Sequence, residues 1–250
     1  DRNPNSVNRD KVILFPDTTT NYNNPNLGIS AVRLIEKLGY EVIVPDFKCC
    51  GRPYLSNGMM RKAKDNANFN VDLIYDYIES GAKLVGIEPS CVLGFKEDFI
   101  DLLDNPDFGR KISENTMLIE EFVSYAFEQS TEIPFKKDIP FENIALFGHC
   151  HQKALIGTSP AMNILNRIPG VSAKEIRSGC CGMAGSFGYT KDHYNISMDI
   201  GNAQLFPAIE SLPDETIIAS EGFSCREQIL HGTGRPSLHL VEILNECIDG

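Results

Sequence analysis

The stretch Ser178-Gly179-Cys180-Cys181-Gly182-Met183-Ala184-Gly185-Ser186-Phe187-Gly188 places two adjacent cysteines before a glycine and a run of small residues. Adjacent thiolates face one bound centre only if the backbone bends sharply between and after them. Glycine permits that bend and a close approach to a bulky ligand. The same triplet stands earlier as Cys49-Cys50-Gly51. With 8 Cys and 20 Gly in 250 residues, a shuffled chain would hold roughly 0.02 such triplets. Two triplets in one chain therefore point to a repeated structural need.

The residues before each triplet indicate what that need is built on. Lys11 to Pro16 is a short apolar run and predicts a buried parallel strand. A polar loop from Asp17 to Pro25 follows. Ile29 to Leu38 then has helical spacing and stops at Gly39. Tyr40 to Pro45 predicts the next strand, and Cys49-Cys50-Gly51 comes after it. Strand, helix, strand, cysteine loop is a βαβ order. Farther on, Met60 to Glu79 predicts a long helix and Lys83 to Ile87 a third strand, which runs into Glu88-Pro89-Ser90-Cys91. The C-terminal edge of a parallel sheet is the usual place for a ligand site. Phe95 to Leu103 and Met117 to Phe127 read as helices.

After a proline-bearing connector the order repeats. Asn143 to Phe147 is a strand ending in Gly148-His149-Cys150-His151. A helix is expected within Ala154 to Ile168, a strand over Val171 to Ile176, and then the second triplet. His193 to Leu212 predicts a helix with a break at Pro207. Thr216 to Ser220 is a strand leading to Glu221-Gly222-Phe223-Ser224-Cys225, and Pro236 to Cys247 is a closing helix. Leu14-Phe15 matches Leu146-Phe147, each triplet matches the other, and Pro89-Ser90-Cys91 matches Phe223-Ser224-Cys225. This is an internal duplication of about 110 residues per copy. The expected fold is α/β: two duplicated Rossmann-like lobes, each a parallel sheet with its cysteine loops at the strand C-terminal edge. The boundaries read as a linker over 1–10, a first repeat over 11–130, a connector over 131–142 and a second repeat over 143–250.

Composition narrows the functions. A net charge of −11 argues against non-specific nucleic-acid binding, which needs a basic face, and supplies no polybasic membrane anchor. No apolar run approaches the roughly 20 residues of a membrane span, and the polar start Asp1-Arg2-Asn3-Pro4-Asn5 is no signal peptide. A disulfide between sequence neighbours is strained. The pairs Cys49–Cys50 and Cys180–Cys181 therefore favour reduced thiolates used as metal ligands in a cytoplasmic chain.

The second half offers Cys150, Cys180, Cys181 and Cys225, four thiolates that suit an iron–sulfur cluster or zinc. The glycine-rich loop can also turn backbone N–H groups toward sulfide. The first half offers Cys49, Cys50 and Cys91, with Thr18 matching Cys150 and Asp17 beside it, so this second site is weaker. Cys247 lies on the last helix and reads as core or surface, away from any metal. Extended alternation would place His149 and His151 on the face opposite Cys150. His231 opens a His-Gly-Thr-Gly-Arg turn suited to an anion, a partner or a helix cap. Gly182 to Gly188 has no G-x-G-x-x-G order, so it is not a dinucleotide fingerprint. A structural zinc scaffold and a thiol–disulfide redox module remain open beside the cluster reading.

The duplicated Cys…Cys-Cys-Gly…Cys pattern resembles the cysteine-rich CCG domain family. That family includes the heterodisulfide reductase B subunit, the glycolate oxidase iron–sulfur subunit, the anaerobic glycerol-3-phosphate dehydrogenase C subunit and lactate-utilisation proteins. Gly148 to Ala154, Ser178 to Tyr189 and Gly222 to Ile229 are most similar to the C-terminal domain of fused FAD-linked oxidases. The resemblance implies an electron-transfer domain with a 4Fe–4S cluster, serving an oxidoreductase that acts on a 2-hydroxy acid such as D-lactate, glycolate or 2-hydroxyglutarate. It implies FAD-binding and ferredoxin-like domains outside this chain, and a quinone or cytochrome as electron acceptor. It also implies a cytoplasmic location, with peripheral attachment to the inner face of the membrane through partners. The domain is not expected to be catalytically complete alone. The family's full motif ends each copy in C-x-x-C. Here Glu88 and Gly222 stand where the first of those cysteines would be.

Overall fold

A computed structural model describes residues 10–129 and 133–249. The expected linker at 1–10 therefore lies almost wholly outside the described residues, as do the first two positions of the connector. Two all-parallel four-stranded sheets form the frame. The first contains β1 (Lys11–Phe15), β2 (Glu41–Ile43), β3 (Lys83–Gly86) and β4 (Thr116–Leu118), in the order β2-β1-β3-β4. The second contains β5 (Asn143–Phe147), β6 (Ser172–Glu175), β7 (Ile217–Ser220) and β8 (Ser237–Leu238), in the order β6-β5-β7-β8. The chain is thus α/β with two Rossmann-like lobes.

The duplication is carried in the strand register. Phe15 pairs with Gly86 in the first sheet and Phe147 with Ser220 in the second. Lys11 pairs with Glu41, and Asn143 with Ser172. Measured from those pairs, Cys91 matches Cys225 and Cys49 matches Cys180.

Strand alternation divides the core. Val12 and Leu14 of β1 face one cluster, whereas Ile13 and Phe15 face another. In β5, Ile144 and Leu146 join the same cluster as Val12 and Leu14, while Ala145 and Phe147 face outward to a third. The shared cluster is built from helices of both lobes: Pro25–Lys37, Ile119–Gln129, Ser159–Leu165 and Leu240–Cys247. Helix Met60–Glu79 covers the outer face of the first sheet with Ala63, Ala67, Val71, Ile74 and Ile78. Helix Tyr194–Glu210 covers the second with Leu205, Phe206 and Ile209. Polar links reinforce the shared layer. Lys37 Nζ donates to the Ile248 carbonyl at 2.9 Å, and Asn245 Nδ2 to the Ser30 carbonyl at 2.8 Å. Within the described connector, Phe135 bridges to Ile248.

Several expected elements need correction. Met117 to Phe127 begins as strand β4 before helix Ile119–Gln129, and Pro236 to Cys247 begins as β8 before helix Leu240–Cys247. Strands of two or three residues are too short to show a period. The polar loop after Asp17 contains a short helix, Thr18–Tyr22. The helix expected over Phe95 to Leu103 is two, Pro89–Lys96 and Asp98–Leu102, the first opened by a proline whose missing N–H has no intrahelical partner to lose there. Pro207 does not break its helix. The carbonyl it leaves without a partner belongs to Ala203, on the exposed side.

Because both lobes bury side chains in one core, they should unfold together. Leu244 is fully buried in that core, so Leu244→Ala should cost about 2–5 kcal/mol. Denaturation followed by near- and far-UV circular dichroism should still show one coincident transition. Two separated transitions in the parent chain would refute the shared core.

Candidate metal centre

Every cysteine except Cys247 lies at the C-terminal edge of a sheet. β5 runs into helix Cys150–Leu155, β6 into the loop bearing Cys180 and Cys181, and β7 into helix Phe223–Thr233 with Cys225 in its first turn. The four thiols gather at this edge. Cys181 Sγ lies 3.3 Å from Cys225 Sγ, and Cys180 is near enough to Cys150 and Cys181 to shift their protonation and be shifted by it. Cys181 and Cys225 are buried, whereas Cys150 and Cys180 are half-buried. The hydrogen bonds from Cys150 and Cys181, with help from the Gly182 N–H, pull the Cys180 thiol down to about 2. Cys150 and Cys181 are pushed up, first by donating to Cys180 and then by burial. Without a metal the set therefore carries its negative charge on Cys180.

The first lobe repeats this pattern with one member fewer. Cys50 Sγ lies 3.1 Å from Cys91 Sγ, and Cys49 hydrogen-bonds Cys50. Thr18 occupies the place of Cys150, and its hydroxyl, near Cys49, slightly offsets the upward shift of that thiol. Asp17 serves its own helix. Its Oδ1 accepts from the Thr19 and Thr20 N–H groups at 2.9 and 3.0 Å, and its Oδ2 accepts from Thr20 Oγ1 at 2.5 Å. Among the described residues no three His, Cys, Asp or Glu side chains converge on a point the size of one ion.

Backbone donors reach the vicinal thiols in both lobes. The N–H of Gly182 points to Cys180 Sγ at 3.3 Å, and that of Met183 to Cys181. The N–H groups of Gly51 and Arg52 serve Cys49 and Cys50 in the same way. The turn requires a left-handed residue, and Gly182 has φ +96°. A Cβ there would stand 2.1 Å from the Ser197 carbonyl oxygen. Ser197 is buried on helix Tyr194–Glu210, and Gln228 donates to its carbonyl at 3.2 Å and its hydroxyl at 3.0 Å. Ser197 and Gln228 thus seat the cysteine loop. No sequence motif marks either residue. Ala184 is also left-handed, at φ +43°, on the exposed part of the loop.

The histidines depart from the extended-chain reading. Cys150 opens a helix and His149 caps it, its Nδ1 accepting the His151 N–H at 3.2 Å. Desolvation pushes the His149 imidazole down to about 4. His149 lies beside Gly222, so it is on the thiol side and not opposite Cys150. His151 turns to Glu97 of the first lobe at 3.3 Å. His231 sits in the last turn of its helix, which Gly234 ends with φ +70°, and bonds Tyr194 at 2.6 Å. This matches the helix-cap part of the reading. Cys247 is buried in the interlobe core, where burial pushes its thiol up to about 11.

The sequence profile of the cysteine-rich domain, CCG, matches residues 16–96 and 144–229. The chain belongs to the CCG family. D-2-hydroxyglutarate dehydrogenase of Pantoea ananatis is 29% identical over 241 residues, which is 95% of this chain and 22% of that protein. The C subunit of the anaerobic glycerol-3-phosphate dehydrogenase of Escherichia coli K12 is 26% identical over 96% of this chain and 60% of that protein. Lactate utilization protein A of Macrococcus caseolyticus is 26% identical over 96% of this chain and 98% of that protein. The chain thus spans less than two thirds of the first two relatives. A hypothetical protein from Helicobacter pylori shares the fold with a TM-score of 0.54 at 14% identity, covering 94% of this chain and 48% of that one.

Gly182 and Ala184, two of the three left-handed positions of this CCG loop, make opposite predictions. Gly182→Ala should destabilise the chain by at least about 1–3 kcal/mol, from backbone strain alone, because its Cβ meets immovable backbone. Ala184→Gly should be neutral or stabilising by up to about 1 kcal/mol. Chemical denaturation of the two variants checks both signs.

Proposed function

We propose that the second lobe holds one 4Fe–4S cluster through Cys150, Cys180, Cys181 and Cys225, and that the chain is an electron-transfer domain of a flavin-linked 2-hydroxy-acid dehydrogenase. The observation that carries this reading is the gathering of four thiols at one sheet edge, Cys181 and Cys225 in contact at 3.3 Å and the vicinal pair served by backbone N–H donors. Four thiolates and amide donors fit a body that carries its own sulfides and needs hydrogen bonds to them. Zinc would use the same four thiolates without sulfide, so metal and sulfide content separate the two. A bound cluster supplies one-electron transfer, which lets a two-electron flavin oxidation proceed in single steps.

The chain's own residues prepare that site. Cys180 is already thiolate-like, whereas the protons on Cys150 and Cys181 would leave on metal binding. Cys49, Cys50 and Cys91 form a weaker second site with three thiolates. The likeness to D-2-hydroxyglutarate dehydrogenase supports the substrate class, and the likeness to a subunit of glycerol-3-phosphate dehydrogenase supports the role as a part of a larger oxidoreductase. On this reading FAD and a ferredoxin-like domain lie outside the chain, and electrons pass on to a quinone or cytochrome. The repeats occupy 11–130 and 143–250, and the domain works in the cytoplasm, reaching the inner face of the membrane only through partners. No helix among the described residues is long and apolar enough to cross a membrane.

A second reading rests on the close thiols. In metal-free protein Cys181 and Cys225, or Cys50 and Cys91, are placed to form a disulfide on oxidation. Anaerobic purification separates the readings. The cluster predicts about four iron and four acid-labile sulfide per chain, with an EPR signal on reduction. Cys180→Ser and Cys225→Ser should lose the iron, while Cys247→Ser should keep it. Full iron in Cys225→Ser, or stoichiometric zinc without sulfide, would overturn the proposal.

A further inference from the structure

We infer that Glu88, in the lobe with the incomplete cysteine set, is a positioning residue for the thiols of the other lobe. Glu88 stands at the N-terminus of helix Pro89–Lys96 but makes no cap for it. Its Oε2 instead accepts the N–H of Phe223 at 2.8 Å, across the lobe boundary. Phe223 opens the helix whose first turn carries Cys225. The other carboxylate oxygen of Glu88 accepts from Ser90 Oγ at 3.1 Å, and Ser90 Oγ lies 3.3 Å from His149 Nε2. His149 Nδ1 already accepts a backbone N–H, so the ring proton is on Nε2 and points to Ser90. The line therefore runs from His149, next to Cys150, through Ser90 and Glu88 to Phe223, two residues before Cys225.

The Cys150 helix has a parallel tie. Gln152 Oε1 accepts the His149 N–H at 2.9 Å, and Gln152 Nε2 donates at 2.6 Å to Glu120, a buried first-lobe carboxylate. Both cysteine-bearing helices of the second lobe thus end on carboxylates of the first.

Gly222 completes the arrangement. A Cβ at this position would lie 2.6 Å from His149 Cδ2 and 3.3 Å from Cys225 Sγ. A side chain at 222 and the embedded imidazole therefore exclude each other. Residues 88 and 222 are the two positions where the family's C-x-x-C motif would put cysteines. In this chain one provides the carboxylate that reaches across, and the other provides the space for the histidine.

This inference rests on the reading of Cys150 and Cys225 as ligands, but one of its tests does not. In the full-length metal-free chain, Cys225 alkylation by iodoacetamide is followed by mass spectrometry, with buried Cys247 as internal reference. Glu88→Ala should speed Cys225 modification by about tenfold or more through local opening, leaving Cys247 unchanged. Glu88→Gln keeps an acceptor for Phe223 N–H and should restore the parent rate. In the anaerobically loaded chain, Glu88→Ala should hold its metal about 10- to 100-fold more weakly against a chelator. Glu88→Gln should retain the metal but shift its reduction potential, which a purely structural prop would not do. Equal acceleration at Cys225 and Cys247, or none at either, would overturn the inference. A parent chain without iron or zinc would sink the ligand reading and leave the alkylation test to decide this one.

Discussion

Val12 and Leu14 on β1, and Ile144 and Leu146 on β5, bury into the same layer of helices. Two sheets that share a helical layer cannot move independently, since interiors pack at crystal-like density and transmit displacement. The thiol loops at the C-terminal edges inherit that rigidity. The first lobe can then place Glu88 against Phe223 at 2.8 Å, and Glu120 against Gln152 at 2.6 Å, with no flexible linker between donor and acceptor. Separate lobes on a mobile hinge would lose ordering entropy at each such contact.

The thiol edge is also constrained by charge. Several thiolates in one desolvated pocket repel each other, and burial disfavours each charged form. The metal-free set resolves this by ionising one member, Cys180, and directing the protons of Cys150 and Cys181 to it as hydrogen bonds. The N–H groups of Gly182 and Met183 add fixed positive dipole ends to the same sulfurs. On the proposed reading, the iron of a cluster would supply the positive charge that ionises Cys150 and Cys181 as well.

The parallel sheets, the duplication and the placing of all seven edge cysteines were legible in the sequence. They rest on short apolar strands and on a repeated Cys-Cys-Gly, signals local to a few residues. The strands β4 and β8 were not legible, because two or three residues adjoining a helix share its apolar character. His149 was misread as part of an extended segment because a helix beginning at Cys150 leaves no period before it. Ser197 and Gln228 carry no motif of their own, and Glu88 shows in the sequence only as a departure from C-x-x-C. Their partners are the Gly182 turn, Ser197 and Phe223, each distant in sequence, and only folding brings them together.

The asymmetry between lobes follows from the two residues that open the helices after β1 and β5. Asp17 and His149 occupy matching N-cap positions, and Thr18 and Cys150 matching first positions. Asp17 commits both oxygens to backbone and hydroxyl donors of its own helix, so the first lobe's cap faces inward to itself. His149 caps through one nitrogen and keeps the other for Ser90 of the opposite lobe. Thr18 ends in a hydroxyl where the second lobe has the Cys150 thiol, so the first lobe has three thiols and a neutral donor where the second has four thiols. The helix that carries Cys91 also brings Glu88 and Ser90 to the interface with the second lobe. In this architecture the lobe that lacks a fourth thiol has its side chains directed to the lobe that has all four.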